Sequence, residues 1–248
     1  MKNSLAILSG KGGAGKTLLA TNLATAFSER KGRTLLVDAD FGLPNTHIML
    51  GINPSKTLEN YIEGKNTFSE IICEISPALS VVAGKSGSSD LVDLSAENGE
   101  KIWHGIQSIR EEFDYIIIDN SAGAENHTMS LSCLESRLLI SLIDLPTNFL
   151  DAYSTIKIAH QEHNVNDFLI CINQCNSFGN AQKVFKKFSE ITNRFLNVSM
   201  NLVGFLPHSG AIESSIGQRT PFYKNKKNSE YALIDNIVEK IEAAVSQT

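Results

Sequence analysis

The chain has 248 residues, 42% of them apolar and 7% aromatic, which suits one ordinary globular domain, residues 1–248, large enough to bury a core. Its 22 lysines and arginines stand against 27 aspartates and glutamates, and the net charge of −5 gives no overall basic surface for nucleic acid. No segment approaches the length of a membrane span, no secretory leader precedes the first apolar run, and Cys73, Cys133, Cys171 and Cys175 show neither a C-x-x-C pair nor zinc spacing, so a reducing cytoplasm is expected.

The first apolar run, Leu5, Ala6, Ile7 and Leu8, leads straight into a stretch that reads G-x-x-x-x-G-K-[ST] from Gly10 to Thr17. Helical spacing follows from Leu18 to Phe27, so the motif stands in the strand–loop–helix context of a phosphate-binding loop. Gly10, Gly12, Gly13 and Gly15 let the backbone wrap closely around an anion. The loop amides, with those of Ala14 and Leu18 and the positive end of the following helix, are suited to hold a polyphosphate. Lys16 is expected to reach the β- and γ-phosphates, and the Thr17 hydroxyl to ligate Mg²⁺. Lys11 is a second cation beside the cradle, placed to neutralise charge that develops during γ-phosphoryl transfer. A glycine-rich turn before a helix is the plainer reading; residue type, spacing and flanks together favour the phosphate loop.

The helix over 18–30 ends at Gly32, and 34–37 is a short apolar run expected as a strand buried on both faces. That strand ends at Asp38 and Asp40, with Asn45 in the same loop, at the carboxyl edge where open α/β sheets bind ligands. Asp38 is expected to hold a magnesium-bound water and Asp40 to orient the attacking water. Residues 58–64 and 68–73 read as short helical turns, 79–83 as a strand, 84–90 as a mobile surface loop and 97–112 as a helix. The strongest strand signal, 113–119, ends in Asp119, which fits a Walker-B acid holding Mg²⁺ through water. Strands are expected at 137–143, 168–172 and within 198–206, and helices over 178–195 and 211–217. Lys183, Lys186 and Lys187 read as a solvated helix face. The last helix, 231–245, carries Leu233, Ile234, Ile237, Val238 and Ile241 on one stripe, and Asp235, Glu239 and Glu242 against a lone Lys240 on the other side. A helix lying on anionic lipid wants a basic polar face, so this one is expected to pack on the sheet; Lys224, Lys226 and Lys227 beside it keep peripheral membrane contact as the lesser reading.

K-G-G-x-G-K-T, from Lys11 to Thr17, is similar to the deviant loop of the MinD/ParA ATPases. D-A-D-F-G-L-P-N at 38–45, L-G-I-N-P at 50–54, T-L-E-N-Y-I-E-G at 57–64 and D-A-Y-S-T-I-K at 151–157 resemble the FlhG (FleN, YlxH) branch of that family. The departures are Pro44, where alanine is common, and Gln174, where arginine is usual. The resemblance implies a mostly parallel, twisted α/β sheet flanked by helices on both faces. It implies MgATP held between two subunits, Lys11 crossing to the partner's nucleotide, and Asp40 assisted by Asn45 at the attacking water. Gly123, in the second switch, would bring its N–H to the γ-phosphate. Asn173 would read the adenine edge, and the backbone around Pro207 would pack on the base. Slow ATP hydrolysis would return a homodimer to monomers. The implied role is control of the number or placement of flagella, or of another polar structure, through a protein partner. FlhG proteins often carry an N-terminal tail that activates the GTPase FlhF; with the first apolar run starting at Leu5, that activity is not expected here. The alternative is a ParA-type ATPase that positions DNA or cargo, against which the acidic balance and the D-A-Y stretch weigh.

Overall fold

Runs without polar alternation must be covered on both faces, and that requirement shapes the sheet. A computed structural model describes residues 3–40, 44–84, 96–123, 132–133 and 136–245. Among these, β1 (Ser4–Leu8), β2 (Thr34–Ala39), β3 (Ile72–Ser76), β4 (Leu79–Val82), β5 (Tyr115–Asn120), β6 (Arg137–Ile143), β7 (Asp167–Asn173) and β8 (Ser199–Phe205) form one sheet. Its order is β3-β4-β2-β5-β1-β6-β7-β8. Every neighbouring pair is parallel except β3 with β4. β1 lies between β5 and β6, so the chain leaves its central strand at the crevice where the winding reverses.

The helices are α1 (Lys16–Arg30), α2 (Thr46–Met49), α3 (Leu58–Ile62), α4 (Ala96–Ser108), α5 (Pro146–His163), α6 (Phe178–Thr192), α7 (Gly210–Gly217) and α8 (Glu230–Val245). Strand alternation sends Leu5 and Ile7 to one face and Ala6 and Leu8 to the other. On the first face Leu19, Leu23 and Phe27 of α1 pack with Ile234, Ile237 and Val238 of α8. On the second, Ile102 and Ile106 of α4, Phe149 and Ile156 of α5 and Phe188 of α6 form the opposing layer. The fold is therefore the mostly parallel α/β sandwich expected from the apolar runs.

Some local expectations change. Residues 68–73 are not simply helical: a 3₁₀ turn at Ser69–Ile71 leads into β3, an antiparallel edge strand. Six residues are too few to separate the two periodicities, and hydrogen bonding to β4 decides. The helix over 97–112 ends at Ser108, with a separate 3₁₀ turn at Arg110–Glu112, and the helix over 178–195 ends at Thr192. Residues 85–90 of the expected surface loop lie outside the described residues, as do Phe41, Gly42 and Leu43.

The stripe on α8 is used internally. Ile234, Ile237, Val238 and Ile241 are buried against α1 and β8, and a Cβ at Gly204 of β8 would collide with Ile237. Arg30 bonds Asp235 and Glu239, Lys31 bonds Glu242, and Lys226 of the nearby basic patch bonds Glu29 while stacking on Tyr223. No described helix is long and apolar enough to cross a membrane. Replacing Ile237 by alanine is expected to cost about 2–5 kcal/mol of folding stability in urea denaturation, the range for emptying a buried aliphatic site.

Candidate functional site

The phosphate loop spans the seven residues between β1 and α1, and strands and a helix behind it add to its own contacts. Gly13 and Gly15 have φ of 81° and 80°, the left-handed region in which a side chain is strained. Gly15 caps α1, and its carbonyl accepts the Leu19 N–H at 3.0 Å. A Cβ at Gly12 or Gly13 would meet nothing within 4 Å, so the outer side of the loop is open to an anion. The inner side is closed. A Cβ at Gly10 would collide with the backbone of Asp151 and Ala152 on α5.

Ala14 is buried, and its carbonyl accepts two hydrogen bonds, from Ser141 Oγ and Asn173 Nδ2, both at 2.6 Å. Asn173 Nδ2 also donates to Ser141 Oγ at 2.8 Å. Ser141 in β6 and Asn173 at the end of β7 thus form a bracket under the loop. Both amide hydrogens of Asn173 are engaged there, and its buried Oδ1 has no partner. Ser9 Oγ donates to the Lys11 carbonyl at 2.8 Å, and the Ser9 carbonyl accepts the Gly123 N–H at 3.1 Å. Gly123 has φ of 102°, so the segment after β5 turns back onto the loop through a backbone that favours glycine.

Behind the loop, parallel pairing of β2 with β5 sets Asp38 directly opposite Asp119. Both are only 1% exposed. Asp38 accepts the backbone N–H groups of Asp40 at 3.2 Å and Thr46 at 3.0 Å. Neither oxygen of Asp119 makes a hydrogen bond, although Thr17, Thr46 and Lys16 lie close enough to favour its charged form. Burial pushes both carboxyls well above the usual carboxylate range; the charge of Asp119 adds to the shift of Asp38, and the charge of Asp40 to that of Asp119. Two buried acids, one of them (Asp119) with both oxygens unused, beside a threonine hydroxyl suit a divalent cation. Among the described residues no cluster of three or more histidine, cysteine or acidic side chains forms an all-protein metal site. That donor set fits Mg²⁺, which keeps waters and takes other ligands from substrate phosphates.

The remaining candidates lie around this centre. Lys16 is buried beneath the loop and Lys11 is exposed on it. Thr17 and Leu18 open α1, half-buried. Asp40 is half-buried at the end of β2, and Asn45 is exposed at the start of α2, next to the Thr46 amide that bonds Asp38. Pro207 follows β8, where the Leu206 N–H donates to Ile172 and the Leu206 carbonyl accepts the Cys175 N–H. Gln174, between Asn173 and Cys175, adopts φ of 55°. The residues that sequence reasoning missed are Ser9, Thr46, Ser141 and Asp151. Two left a trace: Ser141 as the one hydroxyl inside the apolar run of β6, and Asp151 as the first residue of the D-A-Y stretch.

Removing both donors, Ser141→Ala with Asn173→Ala, leaves a buried carbonyl without a partner and should cost about 1–3 kcal/mol. The same variant should weaken nucleotide binding in calorimetry, because the loop loses its bracket. The paired carboxyls give a pH dependence whose sign is fixed by linkage. The folded metal-free protein keeps protons that the unfolded chain releases in the usual carboxylate range. The contribution of this pair to stability therefore falls as pH rises from that range to the raised folded values, and then levels off. The pair should make metal-free protein less stable at pH 8.5 than at pH 6, and binding of Mg²⁺ with nucleotide should release protons, read as a binding heat that depends on the buffer.

The chain matches the CobQ/CobB/MinD/ParA nucleotide binding domain over residues 5–242. It is 29% identical to the antiactivator FleN of Pseudomonas aeruginosa over 229 residues, covering 92% of this chain and 82% of that protein. Among solved structures, the cell division ATPase MinD of Pyrococcus furiosus aligns with a TM-score of 0.78 at 22% identity, over 98% of this chain and all of that one. The ParA family ATPase of Chlorobium tepidum aligns with a TM-score of 0.77 at 18% identity, over 97% and 99%. With a family match over almost its whole length, and with the loop and paired acids in place, the chain belongs to the MinD/ParA family of P-loop ATPases.

Proposed function

We propose that the chain is an ATP-controlled dimerisation switch that positions a cargo. The observation that carries this reading is the contrast between its two loop lysines. Lys16 is buried with the phosphate cradle, whereas Lys11 is exposed on the outer side of the loop, beside the open space at Gly12 and Gly13. One cation serves the subunit's own nucleotide, and the other is free to meet the nucleotide of a second copy.

In this reading Lys16 and the loop amides hold the phosphates. Thr17, Asp38 and Asp119 hold Mg²⁺, which supplies charge neutralisation at the β- and γ-oxygens. Asp40, with Asn45 close by, orients the attacking water. Asn173 supports the loop through Ala14 and keeps its orphan Oδ1 for the amino group of adenine, with Pro207 beside the base. Gly123 already rests on Ser9 of the loop, so an added γ-phosphate competes for the same backbone N–H.

Of the possible roles, ParA-type positioning is the better supported, because the likeness to MinD and ParA-family structures runs along nearly the entire chain. Control of flagella is the second reading, favoured by the FleN relative and by the D-A-Y stretch at the start of α5.

With hydrolysis blocked by Asp40→Ala, MgATP should convert the protein from monomer to dimer in light scattering. Adding Lys11→Ala should abolish that shift. A monomer at saturating ATP in both proteins would remove the switch. Salt-sensitive retention of the trapped dimer on plasmid would support positioning on DNA. A change in flagellar number on deletion, without such retention, would support the second reading.

A further inference from the structure

The side of α5 turned away from the phosphate loop faces α6 across an apolar groove of about 610 Å³. Its walls are Pro146, Phe149, Leu150 and Tyr153 from α5, with Ile191 and Phe195 from the end of α6 and the turn after it. Several of these side chains are left in water: Leu150 is 67% exposed and Phe195 is 71% exposed. The groove is shaped by edge-on ring contacts, Tyr153 with Phe195 along one wall and Phe149 with Phe188 at the floor. Large apolar side chains bordering a concave, preformed surface mark an interaction site rather than scattered surface residues.

Among the described residues lining the groove, the charged one is basic. Lys187 lines it, with its ammonium 5.2 Å from the centre of the Phe149 ring. Lys183 lies one turn earlier on α6, and Lys157 one turn beyond Tyr153 on α5. None of the three forms an ion pair among the described residues, and the single acid of α6, Glu190, pairs with Lys186. An apolar channel between two helices with unpaired lysines on its banks matches one occupant best. A second copy of this chain meeting the same surface across a two-fold axis would bring like charges together. A bilayer surface does not fill a concave channel. An amphipathic helix with an apolar stripe and acidic flanks satisfies both the shape and the charge.

We propose that the groove between α5 and α6 docks an acidic amphipathic helix of a partner protein, with Leu150, Tyr153 and Phe195 as apolar anchors and Lys157, Lys183 and Lys187 as the charged rim. Docking does not require the dimer switch, since no groove residue belongs to the nucleotide site. The two are nonetheless adjacent: Asp151, the residue after Leu150, abuts Gly10 of the phosphate loop.

The test uses the full chain and a display library of helical peptides randomised on one face and both flanks. Selection should enrich leucine, isoleucine or phenylalanine at i, i+3, i+4 and i+7, with aspartate or glutamate on the flanks. A selected peptide, labelled and titrated, should bind at least tenfold more weakly to Phe195→Ser while ATP hydrolysis stays unchanged. Reversing the rim with Lys157→Glu, Lys183→Glu and Lys187→Glu should weaken that peptide and strengthen a copy with lysine in place of its acids. The Lys11→Ala protein should bind the peptide as the wild type does, which separates this result from failure of the switch. Selection of no such pattern, or equal binding to wild type, Phe195→Ser and the charge-reversed protein, would overturn the proposal. So would self-association, or retention on anionic phosphatidylglycerol vesicles, that is lost in Phe195→Ser.

Discussion

Two carboxylates buried side by side, Asp38 and Asp119, are the constraint around which the centre of this protein is arranged. They sit opposite each other on neighbouring strands, where water cannot screen them, and each makes ionisation of the other harder. A buried acid pair of this kind is tolerable when protonated or when a cation joins it. The phosphate loop above it brings an ammonium, a hydroxyl and an open anion cradle to the same place. The site thus holds opposite unmet demands a few residues apart, and a magnesium–polyphosphate pair answers both.

The loop does not hold its shape alone. Its conformation rests on a glycine that lets α5 approach, and on one carbonyl bonded from two different strands. A backbone pinned from behind leaves little reorganisation to be done when an anion arrives. The hydrogen bond from Gly123 to Ser9 ties the segment after β5 to this frame. One backbone hydrogen bond is weak enough to be exchanged for one to a phosphate, which is the energetic scale the proposed switch needs.

Helix α5 joins two surfaces. Its first turn is set by Pro146 and by Asn148, whose Oδ1 accepts the Ile143 N–H at 2.8 Å and fixes the exit from β6. That placement puts Asp151 against the loop and Leu150 in solvent one residue earlier. The D-A-Y stretch is therefore packing for the nucleotide site on one side and a wall of the apolar groove on the other. Lys183, Lys186 and Lys187 of α6 read from sequence as a solvated face; only the tertiary structure sets Lys187 in the wall of that groove.

What the sequence determined by itself is local. The loop, its lysines and the threonine are contiguous and follow an apolar strand, so their place at the strand–helix turn was legible from spacing. The apolar runs announced a sheet covered on both faces, and the stripe on the last helix announced that it packs inward. Tertiary structure decided which residues lie opposite one another. The register that faces Asp38 with Asp119, the donors to Ala14 from positions 127 and 159 residues away, and the collision that keeps Gly10 a glycine leave no local pattern. So too with β3, a run too short for its period to tell, which becomes a strand because β4 offers it hydrogen bonds. Periodicity reports which face of an element is buried; it carries no information about what is buried against it.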